Sequence, residues 1–115
     1  MIEQYVKVGA TVCPRVQGIS CAVVIAIEQN EDTGNLDYSV LTDFGNILTL
    51  TGTEFRTMYQ NEKFYSSMMI GGHGITFFQD PHGFSVEDRF MLQIELLREA
   101  QEALLAKGLL KTKFL

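Results

Sequence analysis

ISCAVVIAIEQ, residues 19–29, decides the fold. Successive side chains of an extended chain point to opposite faces. Here one face carries Ile19, Cys21, Val23, Ile25 and Ile27, and the other Ser20, Ala22, Val24 and Ala26. Up to Ile27 neither face is charged, and the β-branched residues favour a pleated strand. A strand without a solvated side must be covered on both, so this segment belongs in the middle of a sheet. Its centre, CAVVIAI at 21–27, is the longest apolar run of the chain and is far too short to cross a bilayer.

Working outward, the flanking segments also read as strands. In YVKVGATVCP, 5–14, Val6, Val8, Ala10 and Val12 fall on one face and Tyr5, Lys7, Thr11 and Cys13 on the other. Pro14 stops that ladder, having no N–H to donate. Downstream, NEDTGN is a polar turn in which Gly34 and Asn35 accept positive φ. LDYSVLTD, 36–43, is the partner strand, and DFGN, 43–46, turns the chain into ILTLT, 47–51. Gly52 breaks that strand before TEFRTMYQ, and KFYSSMMI, 63–70, and ITFFQ, 75–79, flank GGHG. About six or seven short strands joined by tight turns predict an antiparallel meander or a small barrel.

VKVGATV opening the chain, a long second strand ending VVIAI, and DFGN before a short apolar strand together resemble an SH3-like small β-barrel over residues 5–60. The resemblance implies a fold and an aromatic cleft for peptides or nucleic acids; it transfers no binding residue.

After Phe84 the period changes. Ser85 is a good N-cap with Asp88 three positions on, and Glu87 and Asp88 complement the dipole of a first helical turn. The helix is expected from Val86 to Lys107, with Gly108 as its left-handed terminator. Val86, Phe90, Ile94, Leu97, Ala100, Leu104 and Leu105 form its apolar stripe, which Leu92, Leu96 and Ala103 widen. One small sheet does not cover so broad an arc. Either the tail 109–115 folds back over it or a second subunit does, and a homo-oligomer meeting at Leu92, Leu96 and Ala103 is the expectation. The class is therefore α+β: a single domain with a β region at 1–84, one long C-terminal helix at 85–108, and a tail.

The totals bound the function. A chain of 115 residues supports one core without a staple. A net charge of −5 argues against broad contact with duplex nucleic acid. MIEQYVKVG lacks the apolar stretch of a signal peptide, and Cys13 and Cys21 read as reduced, half-buried thiols, so a cytoplasmic location is expected.

Most of the chemistry-bearing residues cluster late. GGHG, 71–74, lies between strand-like segments and has no following helix or GK[ST], so it reads as a hairpin turn and not as a phosphate cradle. His73 and His82, with Asp80 or Cys13, fall short of any ligand spacing for a metal. Cys13 with His73 as base forms no recognisable nucleophile motif. DPHG, 80–83, reads as a type I turn. No cofactor is expected, and the chain reads as non-catalytic. The segment 53–69 interleaves Phe55, Tyr59, Phe64 and Tyr65 with Arg56 and Lys63, and such rings beside a cation can clamp a planar ligand. The competing reading makes Phe55, Phe64 and Phe77 core and Arg56 a solvated charge.

The candidate contacts are thus Arg56, Tyr59, Tyr65, His73 and Phe78, with Arg15 and Arg89 as further cations. The expected function is that of an oligomeric binding protein for a small nucleotide-like molecule near a subunit interface. In layout, several strands and then a C-terminal helix, the chain looks like phage proteins that sequester cyclic nucleotide signals, which implies an inhibitor or sponge. An SH3-like adaptor for protein, peptide or single-stranded nucleic acid is the alternative, and a small hydrolase or lyase using His73 the third.

Overall fold

The computed structural model describes residues 8–16, 18, 21–63, 66–70, 72–78, 85–110 and 113–115. The longest ladder is the hairpin of β2 (Ala22–Gln29) and β3 (Leu36–Thr42). Its turn is held by Asn30, whose side-chain oxygen accepts from the backbone N–H groups of Asp32 and Thr33 at 2.9 and 3.2 Å. Gly34 (φ 74°) lets the chain reverse, and its N–H donates to the Asn30 carbonyl at 2.7 Å.

On one side of this hairpin β4 (Ile47–Thr51) pairs with β3; on the other, β1 (Thr11–Pro14) pairs with β2 and β5 (Tyr59–Lys63) with β1. All pairings are antiparallel, in the order β4-β3-β2-β1-β5, and the sheet curls into a half-barrel. A simple meander would have put β5 beside β4. Instead the chain crosses from β4 through the short helix α1 (Gly52–Met58) to the opposite edge. β6 (Ser66–Ile70) and β7 (His73–Phe78) form a separate hairpin, and α2 (Val86–Ala106) follows.

Both faces of the central strand are covered. Ala22 and Val24 pack with Val12, Tyr38, Val40, Leu50, Phe55 and Tyr59; Val23 and Ile25 pack with Leu41, Ile70, Ile75, Leu97, Leu104 and Leu110. Strict alternation fails at one place. Val24 pairs with Val40 and Ala26 with Ser39, so Ile25 is an extra residue in a β-bulge. Beyond the bulge the faces exchange, and Ile27, expected beside Ile25, packs on the aromatic side instead.

The first strand is also shorter than its alternation implies. Val8 and Gly9 lie in a turn, Gly9 has φ 94°, and its N–H donates to the Val24 carbonyl at 2.7 Å. Val8 consequently joins the aliphatic side while Val12 joins the aromatic side.

The two helices are capped differently. At α1, Thr51 and Glu54 complete a capping box: Glu54 N–H donates to Thr51 Oγ1 (3.2 Å) and Thr51 N–H to Glu54 Oε1 (3.0 Å). At α2, Ser85 Oγ accepts from Asp88 N–H (3.2 Å) and donates to Asp88 Oδ2 (2.8 Å). α2 ends in a Schellman motif, with Leu109 N–H on the Leu104 carbonyl, Gly108 N–H on that of Leu105, and Gly108 at φ 71°. The chain after Gly108 then doubles back. Gln101, 3% exposed, accepts through Oε1 from the N–H groups of Phe114 and Leu115, both at 2.7 Å, and Leu110 enters the aliphatic core. Among the described residues no helix is long and apolar enough to cross a membrane.

Candidate functional site

A cleft of about 230 Å³ opens where the β2–β3 turn faces the start of α1. Its base is Tyr38, fully buried and stacked on Phe55 with ring centroids 4.4 Å apart and planes 11° from parallel. One wall is Asn30 and Asp37, joined by a 3.1 Å hydrogen bond from Asn30 Nδ2 to Asp37 Oδ2. The opposite wall is Thr51, Gly52 and Thr53, where the capping box fixes the chain.

Arg56 completes the rim. On a helix its side chain leans back toward the preceding turn, and Gly52 makes room for it there. A Cβ built on Gly52 would stand 3.2 Å from Arg56 Nη1 and 3.3 Å from the Leu36 carbonyl oxygen. Among the described residues the exposed guanidinium has no hydrogen-bond or ion-pair partner, although Asp37 lines the same cleft. A cation, a carboxylate, two amides and three threonine hydroxyls thus border one opening: donors for an anion beside acceptors for hydroxyl or amine groups.

The other anticipated contacts are scattered. Tyr59 begins β5 fully buried, its ring 5.5 Å from that of Phe55, so its aromatic face belongs to the core. Arg15 is exposed and its Nε donates to the Tyr59 carbonyl at 2.9 Å, tying the end of β1 to β5. His73 is exposed at the start of β7, where it pairs with Ile70, and Gly72 before it has φ 86°. Of GGHG, the described Gly72 lies in the turn, while His73 and Gly74 already belong to β7. Phe78 ends β7 and Arg89 lies in α2, but their side chains, and all of Tyr65, His82 and Asp80, lie outside what is described. Leu92, Leu96 and Ala103 are half-buried on α2, with Ala103 against the aliphatic core, and Met91 beside them is 56% exposed.

Of the anticipated residues, the cleft contains Arg56. Asn30, Asp37, Thr51 and Gly52 were not singled out from the sequence; the T-x-x-E pattern at 51–54 was the available signal. Among the described residues no three His, Cys, Asp or Glu side chains converge as a metal site. Comparison with protein-family models, with curated proteins and with solved structures gives no match.

Proposed function

We propose that this chain is a non-catalytic binding protein whose ligand is a small anionic, nucleotide-like molecule, held in the cleft between the β2–β3 turn and α1. The observation that supports it is the guanidinium of Arg56 over Gly52, facing an opening that also offers Asp37 and Asn30. A planar, permanently charged fork recognises phosphate or carboxylate oxygens. A volume of about 230 Å³ is below the usual range for a whole drug-sized ligand. The cleft then takes the anionic group and part of its sugar, with the base outside. Sequestration, as by a phage-type sponge, is the role we assign to such binding, and self-association along Leu92 and Leu96 is part of the same proposal.

Calorimetric titration with cyclic di- and trinucleotides and cyclic ADP-ribose isomers tests it. Micromolar binding is expected for at least one ligand, weakened tenfold or more by Arg56→Ala. No heat from any of them at that concentration sinks the reading. Light scattering on the same sample reports the assembly, and a lone protomer removes that part.

A second reading rests on β4. It is the terminal strand beyond β3, carries no charge, and leaves Ile47 and Leu48 exposed beside Phe44, which is 79% exposed. Among the described residues no further strand pairs with this edge, and an edge of this kind accepts an added strand. Pairing of β1 with β5 wraps the sheet toward closure, which supports an SH3-like barrel and, with it, an adaptor for an extended peptide. Enrichment of one macromolecule from lysate, with no small-molecule binding, favours this alternative.

A further inference from the structure

We propose that Cys13 and Cys21 are a redox pair that closes into a cross-strand disulfide when exposed to a low-molecular-weight disulfide such as oxidised glutathione. The proposal is independent of the cleft. Both thiols are half-buried and both are reduced in this structure. Sequence spacing left open whether they meet; strand register answers it. β1 and β2 run antiparallel with Thr11 opposite Val23 and Val12 opposite Ala22. The paired register ends there, and continued by one residue, to Cys13 within β1 and to Cys21 just before β2, it sets Cys13 opposite Cys21.

The kind of position matters as much as the pairing. Val24 N–H donates to the Ala10 carbonyl at 3.0 Å, while the Val24 carbonyl accepts from Gly9, so Ala10 and Val24 make one of the two bonds of a hydrogen-bonded row. Rows alternate in an antiparallel ladder, so Val12 with Ala22 is the next bonded row and Cys13 with Cys21 falls at a non-bonded one. Residues there share a face and have Cα atoms about 4.5 Å apart, with their side chains the closer. That spacing lies within the range of roughly 4.4 to 6.8 Å that a disulfide spans. Beside Cys13 the pairing of β1 with β5 is irregular, with Asn61 of β5 an extra residue between the partners of Val12 and Cys13. The loop joining the cysteines contains Gly18 at φ 85°, with open space around it.

The chemistry balances without a metal or cofactor. One cysteine thiolate attacks the small disulfide, forming a mixed disulfide and releasing one small thiolate. The second cysteine thiolate attacks the protein sulfur of that adduct, forming the Cys13–Cys21 bond and expelling the second small thiolate. The two cysteine protons end on the two released thiols. The protein loses two electrons and the small disulfide gains them.

The test uses the full-length folded chain, incubated with oxidised glutathione and read by intact mass and by non-reducing digestion. The expected result is a loss of two hydrogens, both thiols gone, and a linked peptide containing Cys13 and Cys21 that dithiothreitol separates. Cys13→Ser should stop at a stable glutathione adduct on Cys21, and Cys21→Ser at one on Cys13. Wild-type protein that keeps both thiols, carries two glutathiones, or links only between chains overturns the proposal. The wild-type result suffices even if a variant fails to fold.

Discussion

The two sides of the half-barrel are stabilised in different ways. On the α1 side the core is centred on rings from nearby in sequence: within 22 residues Tyr38 stacks on Phe55 and Phe55 meets Tyr59 at a tilt, and a complete capping box fixes the helix that carries Phe55. The opposite side is aliphatic and assembled from a distance, with Val23, Ile25 and Leu41 waiting for Leu97, Leu104 and Leu110. Each large ring carries much buried area and a defined geometry, so a seven-residue helix suffices there. Aliphatic side chains carry less area each, so the other face needs α2 and the tail behind it. The cleft lies on the first side, where its walls are held by short, local constraints.

The largest effect should come from the aromatic side. Phe55→Ala removes a fully buried ring and its stack on Tyr38, and a loss of about 3–5 kcal/mol is expected in urea denaturation. Arg56 is next in sequence, so binding at the cleft should fall with it. A cost below about 1 kcal/mol would mean that the aromatic cluster is peripheral, and the contrast between the faces would collapse.

A smaller and more local effect is expected on the other side. Gln101→Ala takes away the acceptor shared by the N–H groups of Phe114 and Leu115, at an expected cost of about 1–3 kcal/mol. Hydrogen exchange should quicken at those two amides while β2 and β3 keep their protection. Equal loss of protection throughout the sheet would show instead that tail and sheet unfold as one unit.

How much of this was legible depended on whether the determinant was local. CAVVIAI announced a strand covered on both faces, and Ser85 and Gly108 marked the ends of α2, because each carries its own reason in its residues. The bulge at Ile25 did not show, since it arises from β3 offering one residue fewer opposite β2. Helix α1 was missed because seven residues are too few to establish a period, although Thr51 and Glu54 stood at capping-box spacing. The cleft was hidden for a related reason. Its walls come from residues 30–38 and 51–56, and only the β2–β3 and β3–β4 registers bring them together. The broad apolar arc of α2 was visible, and the tail pinned by Gln101 supplies part of its cover.

The finest test concerns one hydroxyl on the aromatic side. Tyr59 is fully buried, and among the described residues its Oη has no hydrogen-bond partner. Burial raises its pKa above the ordinary value near 10, and the charges of Asp43 and then Cys21 push in the same direction. The folded chain therefore holds the phenol proton where the unfolded chain has released it. This contribution to stability is complete below about pH 10 and is lost as pH rises through the folded pKa. Tyr59→Phe keeps the ring against Phe55 and removes the orphaned group, so stability at neutral pH should stay level or rise by up to about 1 kcal/mol. Thermal melts repeated from about pH 9 to 11 should then decline less steeply than for the parent chain. A neutral-pH loss greater than about 1 kcal/mol would mean that the hydroxyl is satisfied in solution, and the aromatic core would be more polar than its geometry implies.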